Sequence, residues 1–530
     1  MNLLLLGSNY FRQALLEEGH EVVWAGDDPS CDLPLPPEKV DVPYILSRLD
    51  FRPEALVLTD DLGRRVLPTG LERTDLLKAW YAVDSPLNLY WQVHFAPLFD
   101  LVLVDQKKQA DLIGRNTPAG AIWLPVAVHT GLYQGPAERK KYDLGFVGVI
   151  NPSVRPKRSR IVESLSSRFV MYTAGGRRGA WVSPEEAGRI YRRSRMVLNE
   201  NLFDGVTTRM MEAMASGTML LTEASTNGLG DLFSPGEDLV AFGPSNLFDQ
   251  VEYYLANDTE RQRVADRGRR VVLETHDVRH RARRLVDLFA GARPGLGLTE
   301  GTSFFRQSGR AWFWVGLRWP GHDGLKRLVR AERYLRRAER GGDLTPSDRF
   351  ALGHLAMLQG REAEARARFE SAREAGSVQA ALSLGFMELE AGREGRAIDE
   401  FNRAALAAGV DPFSDLSIPG GPSADLHHAL GRVLEAVGQD LTPGFSRRGL
   451  HPGLWTAAEH YQAALRIDPD HASSLAGLGL LLSRYEAYAE AHAFLSRAAG
   501  LAPEREDLAE AASRAAERGY ANCPGMRKVA

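Results

Sequence analysis

The sequence predicts two α/β lobes in tandem, each built on a parallel sheet, followed by an all-α array of helix pairs. Three observations carry that reading. Short, wholly apolar runs of strand length alternate with helical stretches from the first residue onward. A second such series begins after the Gly135-Pro136 break, and beyond Asp343 small and large apolar residues recur at a fixed period. At 530 residues the chain also exceeds what one core organises, since single cores stop growing near about 250–300 residues, so two or three domains are expected.

Leu3-Leu4-Leu5-Leu6 ending at Gly7, a helical stretch through Leu15 and Leu16, and Gly19-His20-Glu21-Val22-Val23-Trp24 read as strand, helix and strand. The opening run has no basic flank and stops after four residues, so it reads as a buried strand, not a signal peptide. Ala55-Leu56-Val57-Leu58 and Leu101-Val102-Leu103-Val104 extend a sheet covered on both faces, and the first lobe is expected over 1–135. The charged Glu138-Arg139-Lys140-Lys141 connector leads into Leu144-Gly145-Phe146-Val147-Gly148. Val170-Met171-Tyr172-Thr173, Met196-Val197-Leu198-Asn199 and Met219-Leu220-Leu221-Thr222 complete a second lobe expected over 136–290.

Residues 291–342 form a basic, aromatic connector. Between Thr302 and Arg340, ten Lys or Arg face three Asp or Glu, beside Trp312, Phe313, Trp314 and Trp319. Such a segment suits an anionic membrane surface. The favoured reading is a packed connector in which Leu325, Leu328, Val329 and Leu335 form one buried stripe and the charges its solvated face. Peripheral membrane contact is therefore not favoured, and no apolar stretch of about eighteen residues is present to span a bilayer.

In the array, 343–530, Leu352-Gly353, Ala365, Phe369 and Ala372 recur 32 residues on as Leu384-Gly385, Ala397, Phe401 and Ala404. Leu430-Gly431 starts a third copy, continued after a Gly- and Pro-rich insertion, Gln439 to Leu454, by Ala457, Tyr461, Ala464 and Pro469. Leu478-Gly479, Ala491, Leu495, Ala498 and Pro503 make a fourth, and Pro469 to Pro503 is a 34-residue step. These residues resemble the tetratricopeptide repeat, in which two helices approach through a small Gly and Ala while a large residue fills the gap. The resemblance implies a groove for a protein partner. The array is expected to fold separately, and a chain ending near Ala290 to be complete without it.

Lys and Arg number 65 against 68 Asp and Glu, a formal net charge of −3, so no general basic field exists to hold nucleic acid. With Cys31 and Cys523 the only thiols, neither a disulfide framework nor a four-thiolate zinc site can be built, and a cytoplasmic location is expected.

The stretch Asn199 to Thr222 reads as strand, polar loop, helix and strand. Thr207 or Thr208 can cap the helix, whose N-terminus suits an anion. Arg209 in that first turn would oppose the helix dipole unless a diphosphate is shared between them. Glu212, one turn on, suits sugar or ribose hydroxyls. The same two residues also read as an i, i+3 surface pair.

This stretch resembles the nucleotide-sugar site of GT-B glycosyltransferases, both the family 4-like enzymes and the CgeB-like spore-maturation group. Asp204-Gly205 and Glu212-Ala213-Met214-Ala215-Ser216-Gly217 match the former, with Asp204 in place of the usual Glu; Arg209, three before Glu212, matches the latter. The resemblance, over residues 1 to about 290, implies two Rossmann-like lobes of GT-B type with Glu212, Arg209 and Asp204 as catalytic residues. It further implies a donor site with Gly148, Arg155, Lys157, Arg158 and Thr208, the basic residues neutralising the diphosphate or else forming a solvated loop. Gly228 and Gly230, in Asn227-Gly228-Leu229-Gly230, would face the donor. On the acceptor side it implies Asp84, while His94 amid Trp91, Val93 and Phe95 reads either as an acceptor contact or as a structural residue.

The expected activity is metal-independent transfer of a hexosyl group, with retention, from a nucleotide-diphosphate sugar as co-substrate to a protein or glycan acceptor, with no other cofactor. Asp468-Pro469-Asp470 falls between repeats and is not read as a metal site. Two alternatives stand beside it: a non-enzymatic adaptor working through its repeats, and a sugar-nucleotide epimerase-like enzyme.

Overall fold

The central strands of the first lobe are apolar on both faces, so each sheet face must be covered by other elements. The computed structural model describes residues 1–530 apart from 61–66, 153–154, 177–179, 299–300, 320–321, 343, 414–420 and 520–530. Cys523 and Asp343 lie outside the described residues.

The first lobe contains β1 (Asn2–Gly7), α1 (Arg12–Glu17), β2 (Glu21–Gly26), β3 (Leu33–Pro34), α2 (Val42–Leu46), β4 (Ala55–Thr59), β5 (Leu77–Ala82), α3 (Ser85–Phe95), β6 (Leu101–Val104), α4 (Lys107–Gly114) and β7 (Ile122–Trp123). Its seven strands are ordered β3-β2-β1-β4-β5-β6-β7, and every pairing is parallel. The second lobe contains β8 (Tyr142–Val147), α5 (Pro156–Ser166), β9 (Met171–Ala174), α6 (Pro184–Arg192), β10 (Ser194–Asn199), α7 (Thr208–Ala215), β11 (Met219–Glu223), α8 (Leu229–Leu232), β12 (Val240–Phe242), α9 (Leu247–Ala256) and α10 (Asp258–Thr275). Its sheet, order β12-β11-β10-β8-β9, is likewise parallel. Two Rossmann-like lobes thus precede a helical C-terminal region.

The next helix, α11 (Val278–Gly291), crosses back to the first lobe. Val278, Ala282, Leu285 and Phe289 share one core with Leu3, Leu5 and Val57. The span expected as the second lobe, 136–290, therefore ends on a helix that packs in the first lobe's core, because β1 needs an apolar cover on that face. The opposite face, Leu4, Leu6, Leu56 and Trp80, is covered by α3 and by α12 (Gly301–Arg318) with α13 (His322–Gly341).

Trp312 and Phe313 are buried, so the connector spends its aromatic residues on this core. Within α13 the buried spacing is Leu328, Ala331, Leu335 and Ala338, whereas Leu325 and Val329 are 60% and 53% exposed. The expected four-residue stripe is corrected accordingly: only its members on the face turned to α12 are buried.

The remaining helices pair along the chain: α14 (Pro346–Leu358) with α15 (Glu362–Glu374), α16 (Val378–Glu390) with α17 (Glu394–Ala407), α18 (Ala424–Ala436) with α19 (Ala457–Ile467), α20 (Ala472–Arg484) with α21 (Tyr488–Leu501), then α22 (Glu506–Arg518). Each repeat glycine lies where a Cβ would strike the large residue of its partner helix: Gly353 at Phe369, Gly385 at Phe401, Gly431 at Tyr461 and Gly479 at Leu495. The array is not a separate body. Phe350, Leu352, Leu355 and Phe369 belong to the same continuous core as Leu4, Trp80 and Trp312.

The insertion in the third repeat adds to this attachment, with Phe445 and Leu454 in the same core. Its ends are tied where Ala457 and Ala458 donate to the carbonyls of Gln439 and Asp440, at 2.9 and 3.0 Å. Between them Phe445 packs 5.1 Å from the ring of Tyr90 in α3, and the guanidinium of Arg447 lies 5.0 Å from the ring of Trp314 in α12. The loop then crosses the first helices of the repeats: Gly453 abuts Ser383, and His451 lies 5.6 Å from His354 and 6.0 Å from Phe386. The face expected to receive a protein partner is therefore occupied along these helices by the chain's own residues 451–455. An apolar and histidine-lined face needs a cover, and the insertion supplies it.

Candidate active site

In an open parallel sheet, side chains and loops that serve a ligand gather at the carboxyl ends of the strands. In the second lobe β8 ends at Val147, β10 at Asn199 and β11 at Glu223, with the N-termini of α5 and α7 beside them.

Arg209 organises this edge. Its Nε donates to the carbonyl of Val147 at 2.8 Å and its guanidinium to Asn199 Oδ1 at 2.8 Å, and it lies over the Phe146 ring at 4.5 Å. Thr207, the residue before α7, gives its hydroxyl to the same Asn199 oxygen at 3.0 Å and makes no side-chain bond to the helix. The first turn of α7 is thus left uncapped by a side chain, with a cation fixed beside it. Gly148 has φ +152°, and a Cβ there would sit 2.6 Å from the Arg209 guanidinium. Glycine is required by that close approach.

Glu212 accepts a hydrogen bond from Tyr191 at 3.1 Å and holds Tyr133 as well. Burial, reinforced by the Glu212 carboxylate, raises the pKa of both phenols and keeps them protonated as donors. Thr208, Arg209 and Glu212 line a cavity of about 320 Å³ with Tyr133 and Trp181, the latter 82% exposed. The residues predicted from the helix start thus face one cavity, joined by two aromatic residues, Tyr133 and Trp181, that spacing did not reveal.

Lys157 and Arg158 are committed to protein carboxylates. Lys157 Nζ donates to Glu223 at 2.8 Å and lies 3.4 Å from Glu200; Arg158 Nε donates to Glu200 at 2.9 Å. Burial works against the Lys157 charge, but Glu223 and Glu200 outweigh it and raise its pKa. The expected four-cation diphosphate cluster is corrected to a paired network, since two of those cations already answer two carboxylates, the buried Glu200 and the partly buried Glu223. Arg155, at the start of α5, lines a larger cavity of about 970 Å³ together with Glu200, Asp204 and Glu223.

Asp204 is a latch between lobes. Burial opposes its ionisation, yet hydrogen bonds from Lys108 at 2.7 Å and from the Thr226 hydroxyl and amide at 2.6 and 2.9 Å hold its pKa below the usual range. Its expected catalytic role is corrected: the carboxylate is taken up by the joint, although one edge reaches the larger cavity. Gly228 is corrected likewise, because its Cβ position falls 2.6 Å from the Trp123 ring of the first lobe, and Asn227 accepts from the Lys108 amide at 2.8 Å. Gly230 lies on α8 with open space around its Cβ position and lines neither of these two cavities.

Asp84 sits at the carboxyl edge of the first sheet in left-handed backbone, φ +49°, its amide donating to Asp105 at 2.8 Å. Burial and then Arg158 weaken the hold of Arg155 on its proton, with Glu200 and Asp84 opposing. His94 is corrected to a structural residue: it bonds Gln307 of α12 at 3.2 Å, and burial lowers its pKa to about 4. Among the described residues, no group of three or more His, Cys, Asp or Glu is arranged to hold a metal, and no helix is long and apolar enough to cross a membrane.

Set against known families, the second lobe finds a match that begins at Arg155. Residues 155–287 match the glycosyl transferase-like family. The matched span contains Glu200, Arg209 and Glu212, and it ends within α11, the helix that returns to the first lobe. No curated protein sequence matches the chain. Among solved structures, a sucrose-phosphate synthase from Thermosynechococcus elongatus is 13% identical over 55% of this chain and 98% of its own, TM-score 0.39. Anabaena HepE in complex with UDP-glucose is 10% identical over 55% of this chain and 100% of its own, TM-score 0.40. The APC/C hetero-tetramer Cut9-Hcn1 is 17% identical over 41% of this chain and 38% of that one, TM-score 0.18. At these TM-scores the likenesses carry no weight for the site.

Proposed function

We propose that the protein is a glycosyltransferase that moves a hexosyl group, with retention, from a nucleotide-diphosphate sugar to an acceptor hydroxyl without a metal. The observation that carries this reading is the fixed guanidinium of Arg209 at the uncapped start of α7, whose close approach Gly148 permits. Breaking the bond between the anomeric carbon and the β-phosphate oxygen loads negative charge on the diphosphate, and a preorganised cation with a helix N-terminus stabilises such charge. The acceptor oxygen forms the new bond, and its proton leaves with the departing diphosphate. The cavity beside Glu212 and Trp181 fits the nucleoside, its ribose hydroxyls donating to the carboxylate and its base lying on the indole. Arg155 supplies the second cation toward the larger cavity. The tetratricopeptide-like array acts as a wall of the enzyme, and the adaptor reading is disfavoured because the insertion covers the repeat face.

Calorimetric titration of the full chain tests this, with UDP and with UDP-glucose, the ligand of the HepE structure, as first probes. Binding that persists in EDTA and weakens about 10- to 150-fold in Arg209→Ala, the loss for a hydrogen bond to a charged partner, is the expected result. Affinity unchanged in Arg209→Ala removes the donor site, and binding abolished by EDTA removes metal independence.

A further inference from the structure

The turns that end the first helix of each array repeat share one geometry. Gly360, Gly392 and Gly438 occupy left-handed backbone at φ +71°, +72° and +70°. The residue after each donates back to its helix: Arg361 to Ala356 at 2.9 Å, Arg393 to Glu388 at 2.8 Å, and Gln439 to Leu434 at 2.8 Å. The fourth repeat makes the same turn, Ala487 to Leu482 at 3.0 Å, but its left-handed residue, at φ +60°, is Glu486. Left-handed backbone disfavours any residue that carries a Cβ, and glycine is the ordinary helix stop. Strained residues of this kind concentrate at binding sites.

Glu486 also stands where a ligand would go. It lines the 970 Å³ cavity between the array and the carboxyl edge of the second sheet, between Tyr485 and Tyr488 in sequence, and shares that cavity with the amides of Asn201 and Gln462. Burial raises its pKa, and the neighbouring Asp204 carboxylate adds to this, ahead of the opposing Lys108 and Lys157.

We propose that this cavity is the acceptor subsite, that it takes a carbohydrate, and that Glu486 binds acceptor hydroxyls. The inference rests on the donor reading only in that an acceptor must reach the ends of β10 and β11. Sugars present C–H faces to aromatic rings and hydroxyls to carboxylates and amides, and the cavity offers both. A carboxylate that lines such a cavity near the Asp204 and Glu223 carboxylates is placed to accept from hydroxyl donors. An extended polypeptide would need the repeat face that residues 451–454 cover.

The test uses the full chain as wild type, Glu486→Gly and Glu486→Gln, on an array of defined oligosaccharides and an array of unglycosylated peptides, with UDP titrated in parallel. Glu486→Gly restores the turn residue of the other three repeats, so its melting temperature should equal or exceed that of the wild type. Oligosaccharide binding by the wild type, at least tenfold weaker in both variants while UDP affinity stays within twofold, is the expected result. Absence of oligosaccharide binding by the wild type, binding of peptides in its place, or full binding by either variant overturns the proposal. Failure of UDP to bind the wild type removes the donor reading instead and leaves the oligosaccharide comparison decisive here.

Discussion

The side-chain amide of Gln106 pairs with both backbone groups of Val206, accepting from its N–H at 3.0 Å and donating to its carbonyl at 2.9 Å. One buried residue at the end of β6 thereby reads the main chain of the loop that precedes α7, a hundred residues on. Lys108 to Asp204 and Lys107 to Asp231, at 2.7 and 2.8 Å, flank this clamp, so the loop that sets Arg209 is held from the opposite lobe.

Gln106→Leu should therefore loosen the joint. It leaves the N–H and carbonyl of Val206 buried without a partner, at about 1–3 kcal/mol for each unsatisfied group. Hydrogen exchange at the Val206 amide should accelerate at least tenfold, and donor affinity should fall although Gln106 touches no proposed donor group.

Gly148→Ala should act through Arg209. The added methyl would lie 2.6 Å from the guanidinium, at a φ of +152° that alanine rarely adopts. UDP affinity should drop as far as in Arg209→Ala. Arg209→Lys should not rescue, because one ammonium cannot reproduce the planar fork that reaches Val147 and Asn199 while stacking on Phe146.

A chain ending at residue 290 should not be soluble and monomeric. It would strip α12 and α13 from the face formed by Leu4, Leu56 and Trp80, apolar area worth about 25 cal/mol for each Å². In the full chain, Gly385→Val drives a side chain into the Phe401 ring, an overpacking cost of about 1–3 kcal/mol. Far-UV circular dichroism and UDP-detected melting should shift together, because Ala380, Leu384 and Met387 of the same helix share a core with the first repeat and the first lobe; separate transitions would contradict that continuity.

Acid should release the insertion. His354, His427 and His460 pack beneath it against its own His451, and burial lowers the pKa of each of the four, His427 and His451 to about 4. His427 and His460 approach Nδ1 to Nδ1 at 3.0 Å, which needs one donor and one acceptor. Against an unfolded value of about 6.5, the unfolded chain binds more protons between about pH 4 and 6.5. Stability is thus complete above that window and is lost as pH falls through it. Melting temperature should decline steeply from pH 6.5 to 4.5, and His451→Leu should flatten the decline.

By itself the sequence determined the local matters: apolar runs set the strands, glycine and alanine at a 32- to 34-residue period set the helix pairs, and the Arg209–Glu212 spacing put both side chains toward one cavity. Each depends on residues close together in the chain. What only the tertiary structure decided is who answers whom across long separations. Asp204 meets Lys108, Lys157 and Arg158 meet Glu223 and Glu200, and Gly228 meets Trp123, so groups that read as ligand-facing became joints. The array's attachment was hidden for the same reason, since an insertion rich in Gly and Pro has no periodicity, and its partners Tyr90, Trp314 and His354 lie far away in the sequence. Glu486 marks the border between the two. Its departure from glycine stands in the repeat pattern, but what a carboxylate does depends on the charges around it, and folding alone brings Asp204 and Glu223 near it.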